Sequence, residues 1–233
     1  MKLLALGIAS TLTLAMPALA GASQWDIDSA HTTAEFSVKH MMVSTVKGQF
    51  GKVTGSVNLD DKDIAKSQVD ITIDATSIDT REPKRDGHLK SPDFFDVAKY
   101  PTITFRSTKI AKAGKGKLKI TGDLNMRGVS KSVVLDVDGP TPAFKNLMGQ
   151  MIRGAVARGK INRKDWGLNW NKPLEAAGGV LVSDDVNLEI NAELVERAPA
   201  EAAAGGVAPA APTKAEAKME TKADKAEPKA AKK

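Results

Sequence analysis

The chain has 233 residues, of which His31, His40 and His88 are the only imidazoles, and it contains no cysteine. These histidines are therefore the only side chains suited to a nitrogen-ligated metal centre or to a general base near neutral pH. None stands in H-E-x-x-H spacing, there are no cysteine pairs to hold zinc, and no G-x-S-x-G places an activated nucleophile. No metal ligand and no catalytic residue is assigned on this pattern. The remaining chemistry lies between Ser77 and Phe105, in SIDTREPKRDGHLKSPDFFDVAKYPTITF. The stretch from about Pro83 to Lys90 forms roughly two turns of helix, on which Arg85, His88 and Leu89 share a face and Asp86 and Lys90 face each other four residues apart. Arg85 and His88 are suited to binding the polar head of a ligand, and His88 with Asp86 to acid-base work. A solvated helix face that merely closes one end of the fold is the third reading.

The elements around this loop alternate with period two. Ala34, Phe36 and Val38 share a parity, as do Val69, Ile71 and Ile73. So do Leu118, Ile120, Leu124 and Met126, then Val133, Leu135 and Val137. The clearest strand is the last, with Val186, Leu188, Ile190, Ala192 and Leu194 on one side and Asp185, Asn187, Glu189, Asn191 and Glu193 on the other. Amphipathic strands with so little helix close into a barrel or stack as a sandwich. Phe50 lies off the parity of Val53, Val57 and Leu59, which predicts a bulge near Gly51 and Lys52. On the strand from Ile152 to Asn162 the inward parity carries Ala155, Ala157, Gly159 and Ile161, small residues that leave room inside. Ser91-Pro92-Asp93 predicts a second short helix that delivers Phe94 and Phe95 onto the rim. The four-residue spacing of Trp166 and Trp170 fits a helical turn plugging the opposite end, and core packing is the preferred assignment for both.

The first twenty or so residues, MKLLALGIASTLTLAMPALA, carry Lys2, an apolar stretch and the small-x-small ending Ala18-Leu19-Ala20, the pattern of a secretory signal peptide. Ser10, Thr11, Thr13 and Pro17 interrupt the stretch, which argues against a spanning helix and against stable membrane insertion. Residues 1–20 are thus expected to be a signal peptide and 21–197 the folded domain, located in the periplasm. From 198 to 233 the composition shifts to Ala, Lys, Glu and Pro, which cannot offset its chain entropy and is expected to be disordered. The formal net charge is +6, but acids interleave the tail's lysines and no aromatic is there to stack, so nucleic acid is not expected as a partner.

An ordered set of residues resembles a known family. Asp28-Ser29-Ala30-His31 precedes the strand from Ala34 to His40, and Gly48-Gln49-Phe50 and Ser77-Ile78-Asp79-Thr80 follow. Next come Arg85-Asp86-x-His88-Leu89, Asp93-Phe94-Phe95-Asp96, Tyr100-Pro101 and Phe105-x-Ser107. The set ends with Gly122-Asp123-Leu124-x-Met126-x-Gly128-Val129 and Ile161-Asn162-Arg163-x-Asp165-Trp166-Gly167. Together they are similar to the YceI family of lipocalin-like periplasmic proteins, over roughly residues 24 to 196. Ala30 departs from the serine more usual there, and the tail lies outside the resemblance.

The resemblance implies an all-β protein: an eight-stranded antiparallel lipocalin-like β-barrel with short helices at about 81–96 and near 165–170. It implies a long-chain isoprenoid or quinone-like lipid as ligand, with no cofactor, held for carriage, storage or scavenging. Expected around that ligand are Phe36, Val38, Phe50, Ile71 and Ile73, then Ile103, Phe105, Ile120, Leu124, Ala155 and Ala157. Leu89, Phe94 and Phe95 are expected over its end, and Arg85 and His88 at its head. Two alternatives stay open, an enzyme acting on such a lipid through His88 and Asp86, and a surface or stress-interaction protein working through its charged tail. Whether two barrels pair as a homodimer is likewise open.

Overall fold

The computed structural model describes residues 22–174 and 178–198; the expected signal peptide and the tail from 199 onward lie outside the described residues. The strands are β1 (Ala22–Ile27), β2 (Thr33–His40), β3 (Ser44–Phe50), β4 (Val53–Asp60), β5 (Gln68–Asp74) and β6 (Ile78–Asp79). Helix α1 (Pro83–Lys90) follows, then β7 (Thr102–Lys112), β8 (Lys117–Met126), β9 (Val129–Asp138), β10 (Phe144–Lys145), β11 (Met151–Asn162) and β12 (Asp185–Glu196).

These segments form one antiparallel sheet that closes into an eight-stranded barrel. Three of its staves are broken in two. The C-terminal part of β12 pairs with β1 while its N-terminal part pairs with β2, and β4 and β3 follow the same division. β5 and β6 continue it, lying on β4 and β3. The chain then meanders through β7, β8, β9 and β11, and β11 pairs with β12 from Ile152↔Val195 to Asn162↔Asp185 to close the ring. Closure removes the exposed edges that a flat sheet of this composition would present.

Each break is sewn by side chains that stand in for lost ladder bonds, as buried backbone groups require. Between β1 and β2, Asp28 accepts from the Ala30 N–H (2.8 Å) and from His31 Nδ1 (2.8 Å), and the Ser29 hydroxyl donates to the Val53 carbonyl. Thr32, 2% exposed, accepts from the Glu193 N–H at 3.1 Å through Oγ1. Between β3 and β4 the expected bulge is instead a break: Phe50 and Val53 are both buried while Gly51 and Lys52 turn outward. The Lys52 N–H donates to Ser77 Oγ (3.2 Å) and its carbonyl accepts from the Asp74 N–H (3.0 Å). Two outward residues change the parity as a bulge would, but they also let the two halves of the stave lie against different neighbours.

In an up-and-down barrel successive connections alternate between the two ends. The β2–β3 turn, the 80–101 loop, the β8–β9 turn and the 163–184 loop therefore share one end, here called the mouth. Loops 61–67, 113–116 and 139–150 share the other, the base. Trp170 accordingly sits beside α1, and Trp166 is buried in the core at the same end, not opposite it; both loops follow strands that run the same way. The expected helix at Ser91 is also absent. Ser91 serves as C-cap of α1, its N–H and hydroxyl both donating to the His88 carbonyl (3.1 and 2.8 Å), and residues 91–96 form turns. A capping serine can begin a helix or end one, and here the preceding helix takes it.

Candidate functional site

A cavity of about 420 Å³ runs through the barrel. That lies within the roughly 300–1,000 Å³ of small-molecule sites and far beyond the voids of a packed interior. Phe36, Val38, Phe50, Ile71, Ile73, Ile103, Phe105, Ile120, Leu124, Ala155 and Ala157 all line it, as alternation requires, and Arg85, His88, Leu89, Phe94 and Phe95 line its mouth. Two glycines admit the aromatic rings. A Cβ on Gly48 would lie 2.5 Å from Phe36 Cζ, and one on Gly122 would lie 2.4 Å from Phe105 Cζ. Phe50 links Phe36 (ring centroids 5.7 Å apart) to Phe95 (5.6 Å, edge-on), so the aromatics pass continuously from lumen to rim.

At the mouth a polar network holds the loops. Helix α1 starts with Glu82 accepting from the Lys84 N–H (3.2 Å) and Pro83 at its first position. Arg85 donates to Thr80 Oγ1 and to the Thr80 carbonyl, each at 2.8 Å. Asp86 accepts from the Thr80 N–H (2.9 Å) and hydroxyl, which replaces the expected contact with Lys90. His88 meets Asp93 (Nε2 to Oδ2, 2.9 Å), with its ring edge-on to Phe94 and Trp170 at 5.1 and 4.8 Å between centroids. The His88–Asp86 pair considered for acid-base work is thus not assembled; Asp93 takes that place.

Arg163 is the principal residue that sequence reasoning left unassigned. It is 4% exposed. Its guanidinium donates to the Ser183 carbonyl (3.0 Å), the Trp170 carbonyl (2.9 Å), the Leu168 carbonyl and Asp184 Oδ1 (3.2 Å). Burial pulls its pKa below the ordinary arginine value and Asp184 opposes the fall. Asn162 caps the turn Arg163–Trp166, Gly167 takes a left-handed φ of 76°, and Trp166 donates its indole N–H to the Leu124 carbonyl (3.0 Å). These were the residues of the Asn162-Arg163-x-Asp165-Trp166-Gly167 motif, and their order was the available signal. Trp170, Thr80, Val46, Leu181 and Val182 complete the mouth's lining.

The base is closed differently. Trp25 (1% exposed), Leu59 (3%) and Leu194 (4%) pack with Val57 in a second cluster. The Arg153 guanidinium lies 5.0 Å from the Trp25 ring centre and pairs with Asp61 at 2.8 Å. Among the described residues, Asp28, His31 and Glu193 are the one group of His and acidic side chains close enough to share an ion. His31 is spent on Asp28, whose hydrogen bond raises its pKa while lowering that of Asp28. No helix among the described residues is long and apolar enough to cross a membrane.

A closed meander barrel around an apolar cavity, with its two longest loops at one mouth, defines the lipocalin-like class of architecture. Residues 25–194 match the family model described as the YceI-like domain, and the chain belongs to that family. A UPF0312 protein of Staphylococcus aureus (strain MSSA476) is 35% identical over 171 residues, covering 73% of this chain and 96% of that protein. The crystal structure of the Campylobacter jejuni YceI protein is 34% identical with a TM-score of 0.58, covering 69% of this chain and 90% of that one. Two more distant structures share the fold. Burkholderia cenocepacia BcnA has a TM-score of 0.61 at 24% identity, covering 72% of this chain and 98% of its own. A polyisoprenoid binding domain from Saccharophagus degradans has a TM-score of 0.52 at 14% identity, covering 74% and 98%.

Proposed function

We propose that this protein is a lipid-binding barrel that holds one long apolar chain, a polyisoprenoid or a quinone-like relative, in its lumen. The observation that carries this is the cavity: about 420 Å³, walled by aliphatic and aromatic side chains and bordered by partnered polar groups at one end. Such a site binds by burial. At about 0.8 kcal/mol per methylene, ten buried carbons contribute roughly 8 kcal/mol before ordering costs, the scale of micromolar affinity. A long chain is needed to reach it. The similarity to a polyisoprenoid binding domain supports the same ligand class. Residues 1–20 act as a signal peptide on this reading, and the protein works in the periplasm as a carrier, store or scavenger, not as an enzyme.

The test is mass spectrometry of an organic extract of protein purified from its own host, which is expected to show a long-chain lipid at near one-to-one stoichiometry. Extracts without lipid, together with failure to bind added polyprenols, would remove the proposal. The variant Ala157→Phe places a ring in the lumen and is expected to lose the lipid while folding normally; full retention would put the chain elsewhere.

A further inference from the structure

The mouth carries an exposed apolar tip that the cavity does not use. Met41, Met42 and Val43, at the turn between β2 and β3, are 46%, 58% and 85% exposed. The Val43 N–H closes the turn on the His40 carbonyl (3.0 Å), and both central residues have positive φ, 50° for Met41 and 60° for Met42. Turns of that shape favour Asn-Gly because non-glycine side chains are strained there. The β8–β9 turn at the same end follows the rule, with Arg127 at φ 52° and Gly128 at 75°. The base hairpin is apolar too, but Asn146 accepts from the Met148 and Gln150 N–H groups and Gly149 takes the positive φ. Only the mouth tip, of these three, sets two large apolar side chains against local preference.

The tip is also fastened to the 163–184 loop, and lysines stand on the two strands that carry it. The Met41 N–H donates to the Leu181 carbonyl (2.8 Å), the Ser183 N–H to the Lys39 carbonyl (2.9 Å), and the Leu181 N–H to the Lys172 carbonyl (2.9 Å). Lys39 precedes the tip and donates to Thr45 Oγ1 (2.9 Å), and Lys47 lies further along β3, where its charge also acts on Glu189. Directly beneath, the cavity wall becomes half-exposed at Val38, His40, Val46, Leu181 and Val182. An apolar projection with lysines on its two strands matches the interfacial zone of an anionic bilayer, where apolar side chains enter the acyl boundary and lysines meet headgroup phosphates.

We infer that the Met41-Met42-Val43 tip docks the barrel, mouth first, onto an anionic lipid bilayer, so that the cavity faces the membrane. Docking is peripheral and spans nothing. Its use in loading the cavity rests on the lipid-binding reading above, whereas docking itself does not.

The test compares the full chain with its Met41→Asn/Met42→Gly variant by co-sedimentation with phosphatidylethanolamine–phosphatidylglycerol vesicles and with phosphatidylcholine vesicles. Asn-Gly suits the turn, so the variant is expected to melt no lower than the parent. Both proteins carry the same termini, so the difference reports the hairpin alone. The variant is expected to partition about tenfold less onto the anionic vesicles, the effect of burying part of two methionines. Lys39→Gln/Lys47→Gln is expected to lose binding to anionic vesicles only. Equal partitioning of parent and variant would overturn the inference. So would a comparable loss in Leu147→Ser/Met148→Ser at the base, or a variant that loses self-association but no vesicle binding, which would make a second copy the occupant. Lipid delivered from detergent separates the two proposals: the hairpin variant is expected to retain it like the parent, and failure of both to take lipid would remove the lipid-binding reading while leaving the docking measurement intact.

Discussion

The base and the mouth of the barrel are made by the same staves and solve opposite problems. At the base, Trp25, Leu59 and Leu194 are buried against one another and Arg153 lies over the indole, so the end is a small core. At the mouth Phe95 and Trp170 are only partly buried beside buried Phe94 and Trp166, and the loops are fastened by hydrogen bonds of Arg163, Arg85, Asp86 and His88 to loop backbone and side chains. Packing that resists opening belongs where nothing passes. Polar fastening, which water can replace at modest cost, belongs where a ligand must enter.

The sharpest challenge to this contrast is Trp25→Ala. Removing a buried indole is expected to cost about 3–5 kcal/mol in denaturant unfolding, with lipid content per folded molecule unchanged. A loss under about 1 kcal/mol would mean that the base is not the rigid end. Arg163→Met at the mouth is expected to cost less, about 2–3 kcal/mol, because water reaches some of the abandoned carbonyls. Hydrogen exchange should speed in residues 163–184 and not at the base; uniform acceleration would erase the distinction.

Binding comes next in size. Arg85→Ala with His88→Ala is expected to weaken an anionic or carbonyl-headed lipid by about 1.5 kcal/mol, leaving a head-free hydrocarbon of equal length unaffected. Equal losses for the two ligands would assign both residues to holding the lid. The smallest effect concerns neither end but the β1–β2 break. His31 has its pKa raised by Asp28, so its contribution is complete below the ordinary histidine value, about 6.5, and disappears as pH rises through the folded value. Asp28 is lowered, so its contribution is present above about 3.9 and disappears as pH falls through its folded value. The melting temperature difference between the parent and His31→Gln is therefore expected to be largest between about pH 4 and 6.5 and to shrink above that. A difference independent of pH would deny the ion pair any role.

Much of this architecture could be read along the chain. Alternation of side chains on a strand is local, so residues such as Phe36, Ile71, Ile120 and Ala157 are assigned to the apolar face before any partner strand is known. The eight-stave count and the ligand class came from resemblance and not from periodicity. Contacts between loops were less legible. Asp86 was matched to Lys90 by helix spacing, yet the backbone brings Thr80 closer. Ser91 had the residues of a helix start and became a helix end.

Local pattern therefore settles which face of each strand is apolar, because strand geometry alternates whatever the neighbours are. Closure of the ring settles the rest. The run from α1 to β11 crosses the barrel an even number of times between the 80–101 and 163–184 loops, and this puts Trp170 against His88 and Phe94 at one mouth. Arg163 likewise became a buried anchor only when the returning segment supplied Ser183 and Asp184. Such pairings depend on loop ends meeting in space, and side-chain spacing along one strand contains no measure of that distance.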